Sequence, residues 1–133
     1  MKKNSSVVEK AFIKAKKTRQ QAHAPYSKFL VGCCLISADE KEFFPGCNVE
    51  NASYGATVCA ERNAIFSAVA HGEKEFSSIV LVTDAKPLAV PCALCLQVIA
   101  EFCEPNFQIH IANLNGIQET VQLKDLLPRP FKF

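Results

Sequence analysis

The chain has 133 residues, a length that suits one domain with a single substantial core. Its net charge of +2 is too weak to point to nucleic acid or to an anionic membrane surface as a partner. Seven cysteines, no apolar signal-peptide core after Met1-Lys2-Lys3 and no run near the ~20 apolar residues of a membrane helix predict a cytoplasmic protein with reduced thiols.

Ser6-Val7-Val8-Glu9 fits a capping box, and Val8, Ala11, Phe12, Ala15 and Arg19 recur at helical spacing. This predicts an amphipathic helix over about 6–22, ending before Pro25, with Lys10, Lys14, Lys16, Lys17 and Arg19 on its solvated face. The apolar run from Phe29 to Ile36 predicts a strand covered on both faces. Glu42–Asn48 follows as a second strand, which Pro45 and Gly46 place at an edge.

Asn48–Gly55 reads as a polar loop, the kind of segment in which binding groups sit. A helix is expected from Thr57 or Cys59 to His71, with Gly72 ending it. Ser78–Asp84 reads as a buried strand, and Pro91 opens a helix running to about Cys103. Gln108–Ala112 and Thr120–Leu123 read as strands joined by a turn at Asn115-Gly116, and an irregular apolar tail follows from Leu126. Alternating strands and helices predict an α/β domain with helices layered on a mixed sheet of about five strands, spanning residues 1–133.

The chemistry concentrates in Cys59-Ala60-Glu61-Arg62 and Pro91-Cys92-Ala93-Leu94-Cys95. Cys92 and Cys95 stand three apart and share one face at a helix start, where the peptide dipoles favour thiolates. With Cys59 they make three thiol ligands, the protein's share of a catalytic zinc site with one open position. Glu61 is then a carboxylate placed to take a proton and hand it on. The bland alternative is a redox C-x-x-C pair, or a structural zinc site with Cys47 or a histidine as fourth ligand. Cys33, Cys34, Cys47 and Cys103 otherwise read as small buried hydrophobes.

C-x-E followed by P-C-x-x-C is the cysteine-ligand form of the zinc deaminase signature. With it, Pro25-Tyr26-Ser27-Lys28-Phe29-Leu30-Val31-Gly32, Gly46-Cys47-Asn48-Val49-Glu50-Asn51-Ala52-Ser53-Tyr54-Gly55 and Leu126-Leu127-Pro128 make the chain resemble the cytidine deaminases, specifically the small type with three cysteine ligands. The resemblance implies a three-layer α/β/α domain and hydrolytic deamination of cytidine or deoxycytidine in pyrimidine salvage. It implies one Zn²⁺ held by Cys59, Cys92 and Cys95, Glu61 as proton shuttle and Arg62 moderating the thiolate charge. Asn48 and Glu50 would bind the ribose of a pyrimidine nucleoside, and Phe29 would pack on the base. In a homotetramer with shared active sites, Tyr54 and Phe131 would act across subunit interfaces. The chain departs from the family pattern at Val90, Ala93 and Leu96, where Ser, Gly and Arg are usual. A blasticidin-type deaminase and a non-catalytic zinc-binding homologue are the alternatives.

Overall fold

A computed structural model describes residues 2–133, with side chains from Ser6 onward. The elements in chain order are α1 (Lys2–Arg19), β1 (Gly32–Ser37), β2 (Phe43–Cys47), α2 (Ala60–Ala70), β3 (Phe76–Val82), α3 (Ala93–Phe102), β4 (Gln108–Asn113), β5 (Gly116–Gln122) and α4 (Leu123–Leu126). The five strands form one mixed sheet in the order β2-β1-β3-β4-β5, in which only β3 and β4 run parallel. That single parallel pair is the one that needs a crossover, and α3 provides it.

Side-chain alternation along the strands divides the core between two faces. Cys34, Ile36, Val80, Val82 and Ala112 pack against Ala11, Phe12 and Ala15 of α1. Cys33, Leu35, Ile79, Leu81, Ile109 and Ile111 pack against α2, α3 and α4 through Ala60, Ala64, Leu96, Ile99 and Leu123. The result is the expected three-layer α/β/α arrangement, and β1 is buried along its whole length.

Several boundaries differ from expectation, each for a local reason. Ser6 lies inside α1 rather than at its cap, because nothing in the residues before it breaks a helix. α1 closes at Arg19, after which Gln20, Gln21 and Ala22 donate to carbonyls three residues back, so its periodicity continues as tighter turns. Arg19 leaves the solvated lysine face: its Nε donates to the Leu30 carbonyl at 3.0 Å, and its guanidinium pairs with Asp84 at 3.2 Å. Pro91 precedes the N-cap residue Cys92 of α3 instead of opening the helix. β5 begins at Gly116, whose φ of 146° only glycine adopts readily. Leu123 leaves that strand to start α4, a turn too short to leave a periodic signal. Cys33 and Cys34 are fully buried, whereas Cys47 and Cys103 are only half-buried.

Two glycines set how closely helices approach the sheet. A Cβ on Gly32 would lie 2.2 Å from the Ala15 carbonyl of α1. One on Gly46 would lie 2.4 Å from the Ala60 carbonyl, so bare backbone at the edge strand seats the first turn of α2.

Candidate metal centre and nucleoside cavity

α2 and α3 bring their N-termini together, with Cys59 and Cys92 as the two N-cap residues. Neither thiol caps its own helix by a hydrogen bond, which leaves both free for another partner. Cys95 follows one turn into α3 and is buried. The Cys59 and Cys92 sulfurs are 3.8 Å apart, and those of Cys92 and Cys95 are 3.6 Å apart. A tetrahedral zinc with sulfurs at ~2.3 Å requires neighbouring sulfurs about 3.8 Å from each other. Both distances are close to that spacing, and the three sulfurs all lie within 4.8 Å of one another, so they could hold one zinc ion. Among the described residues, no other set of three His, Cys, Asp or Glu side chains converges in this way. Neither Cys47 nor a histidine joins the cluster, which removes the four-ligand alternative.

The electrostatics suit a shared negative charge. The Cys59 thiol is drawn down to about 5, first by the neighbouring Cys95 thiol and, against the opposing effect of burial, by Arg62. Cys95 is pushed upward by the same Cys59 contact and by burial. An Nη of Arg62 donates to the Cys59 sulfur at 3.6 Å from one turn along α2. Glu61 is 4% exposed, and burial raises its carboxyl to about 7.

A cavity of about 340 Å³ opens beside the thiols, and Phe29, Asn48, Glu50, Cys59, Glu61 and Cys92 all line it. It lies at the end of β1 and β3, where Gly32 faces both Cys47 and Val82. Phe29 through Val31 lie outside β1, contrary to expectation, because the Asn48 side chain replaces the ladder there. Its Oδ1 accepts from the Val31 N–H at 2.9 Å, and its Nδ2 donates to the Phe29 carbonyl at 2.8 Å. Asn48 retains one N–H and one lone pair for a ligand.

Tyr54 and Phe131 do not line this cavity within the chain. Tyr54 packs edge-on to Tyr26 with ring centroids 5.8 Å apart, in a neighbouring cleft that also touches Glu50. The backbone of Phe131 is held by both ends of the Gln97 amide at 3.0 Å, and its ring is exposed. Ser27 and Thr83 line the cavity but were not singled out from the sequence. The expected strand Ser78–Asp84 includes Thr83; β3 instead ends at Val82 and leaves Thr83 as a buried polar residue just beyond its carboxyl end, where α/β sheets bind ligands. Of the three departures from the family pattern, Val90 lines the cavity, Ala93 is exposed and Leu96 is buried in the core.

Comparison with known proteins agrees with this geometry. The family model for the cytidine and deoxycytidylate deaminase zinc-binding region matches residues 5–111. A cytidine deaminase of Sporosarcina psychrophila is 44% identical over 93% of this chain and 90% of its own length. One from Halalkalibacterium halodurans is 41% identical over 85% of each. The crystal structure of cytidine deaminase from Burkholderia pseudomallei superposes with a TM-score of 0.85 at 41% identity, covering 96% of this chain and 98% of that one. With a three-thiol site matched to one zinc and a buried carboxyl beside it, this chain belongs to the cytidine deaminase family.

Proposed function

We propose that the chain hydrolyses cytidine or deoxycytidine to uridine or deoxyuridine and ammonia, with one zinc ion held by Cys59, Cys92 and Cys95. The observation that carries this reading is the cavity in which Cys59, Cys92 and the buried Glu61 meet Phe29, Asn48 and Glu50. Zinc, when bound, supplies a Lewis acid that lets water ionise near neutral pH. Glu61 takes the proton of the attacking water, delivers it to ring N3, and passes a proton to the departing amine. Oxygen is gained at C4, the exocyclic C–N bond breaks, and ammonia leaves. Phe29 packs on the pyrimidine, while the remaining hydrogen-bonding capacity of Asn48 and Glu50 is directed at the sugar. Arg62 offsets the negative charge of three thiolates around a divalent ion.

Residues 1–133 work as a single zinc domain, assembled as a cytoplasmic homotetramer in pyrimidine salvage. The exposed rings of Tyr54 and Phe131 support the tetramer, since each large apolar ring stands at the surface and neither enters the cavity of its own chain. The carboxylate of Glu50 favours a nucleoside over a nucleotide, whose phosphate it would repel.

The deciding experiment measures cytidine consumption by ultraviolet absorbance, with ammonia release and zinc quantitation on the same protein. We expect about one zinc per chain and turnover of cytidine well above that of cytosine or cytidine monophosphate. A protein carrying one zinc but inert towards cytidine, or one preferring blasticidin S, would overturn the reading.

A further inference from the structure

Ser27 ties Glu50 to Phe29. Glu50 Oε1 accepts the backbone N–H groups of Tyr26 and Ser27 at 3.0 and 3.1 Å, and Oε2 accepts the Ser27 hydroxyl in a short contact. The same hydroxyl oxygen accepts the backbone N–H of Phe29 at 3.0 Å. Between them Lys28 sits at a φ of 62°, a left-handed conformation that a side chain disfavours, and its N–H is held by the Ala24 carbonyl at 3.0 Å. One hydroxyl thus fixes both a carboxylate and an aromatic residue that line the cavity. A serine hydroxyl has a single proton, and here it goes to Glu50. None remains to donate to a ligand, so Ser27 acts through its neighbours.

We propose that Ser27 is a positioning residue that sets Glu50 and Phe29 in register at the mouth of the cavity, and so governs nucleoside capture rather than the chemistry at Glu61. This rests on the reading of Phe29 and Glu50 as nucleoside contacts. Groups ordered before binding lose less freedom when the ligand arrives, so the effect falls on KM. The Ser27 hydroxyl is also the foremost influence holding the Glu50 carboxyl below its ordinary range.

The test is steady-state kinetics on zinc-loaded protein with cytidine. Ser27→Ala should raise KM by about tenfold or more, the scale of one lost hydrogen bond to a charged group, while kcat changes less than about threefold. Ser27→Thr keeps the hydroxyl and should retain a KM near that of the parent; impairment equal to that of Ser27→Ala would count against the proposal. Because Ser27 works through Glu50, Ser27→Ala placed on Glu50→Ala should add far less than it does alone. Lys28→Gly relieves the left-handed backbone without touching the carboxylate. If adding it to Ser27→Ala restored KM, Ser27 would serve only the turn, and the proposal would fall. A raised KM in Glu50→Ala with an unchanged KM in Ser27→Ala would sink the proposal alone. An unchanged KM in both Glu50→Ala and Phe29→Ala would sink the underlying reading of the site.

Discussion

Arg62 reaches back one turn along α2 to donate to the Cys59 sulfur at 3.6 Å, so the helix that supplies the first thiol also supplies its counter-charge. Its Nε is buried without a hydrogen-bond partner among the described residues, so the thiol contact orients the guanidinium. Arg62→Gln removes the charge and keeps much of the side chain's length. It should lower kcat/KM for cytidine by about ten- to a hundredfold in zinc-loaded protein, the range usual for groups that support metal ligands. Arg62→Lys should fall between, since a point charge lacks the planar fork. Unchanged kinetics in fully zinc-loaded Arg62→Gln would leave Arg62 without its assigned part.

Glu61 combines near-complete burial with a carboxyl raised to about 7, so its ionised form is costly to the fold. Glu61→Gln keeps the shape and removes that cost along with the proton shuttle. Turnover should drop by at least about a hundredfold, while zinc content holds and thermal stability does not fall. Near-normal turnover would remove Glu61 from the reaction.

How much of this was readable beforehand depends on what each residue's role demands. Cys59, Glu61, Cys92 and Cys95 were legible because metal chemistry restricts both residue type and spacing. The apolar runs of β1 and β3 were legible because strands covered on both faces exclude polar residues almost entirely. Arg19 was hidden in a lysine-rich run, since nothing local marks a guanidinium that reaches Leu30 and Asp84 across the fold. Ser27, and the structural part played by Asn48 beyond its expected place in the nucleoside site, were hidden in a similar way. An amide standing in for a strand's ladder, and a hydroxyl shared between Glu50 and Phe29, exist only once distant backbone segments meet.

Gly46 matters to the site through α2. A methyl group there would sit 2.4 Å from the Ala60 carbonyl and 2.7 Å from the Ala64 nitrogen, both backbone atoms that cannot rotate away. Gly46→Ala should therefore push α2 off the edge strand and cost at least about 2 kcal/mol. Because Cys59 caps that helix, zinc affinity should fall as well. Urea unfolding and zinc competition measured together would check this; unaltered values in both would show that α2 is not seated by the glycine.

His110 gives the fold a sensitivity to acid. It is buried on β4, its Nδ1 shares a hydrogen bond with Thr120 Oγ1 at 2.8 Å, and burial lowers its pKa from the ordinary value. A lowered folded value means that the unfolded chain takes up the proton first. This contribution is thus fully retained above about pH 6.5 and is lost as pH falls through that value towards the lower folded one. The urea midpoint should decline over that interval, and His110→Gln should flatten the decline. Parallel pH profiles for the two proteins would assign the acid sensitivity elsewhere.

Leu96 stands where the resemblance to the family leads one to expect arginine, yet it is 5% exposed and packed in the core cluster with Ala60, Ile99 and Leu81. An arginine there must either find the thiolates or leave a charge in apolar surroundings. Arg62 already donates to the Cys59 sulfur, so the second guanidinium meets a thiol that has its cation. Leu96→Arg should then destabilise the protein by about 3 kcal/mol or more, the scale of a buried charge without a dedicated partner. The fraction that folds and binds zinc should differ from the parent by less than about tenfold in kcat/KM, since the cavity does not include position 96. Leu96→Met, which conserves volume, should cost less than about 1.5 kcal/mol and leave the kinetics alone. Urea unfolding beside cytidine kinetics on all three proteins decides the matter. If Leu96→Arg kept full stability and raised kcat/KM more than about tenfold, the core would still hold an arginine site, and one guanidinium would not be enough for these three thiolates.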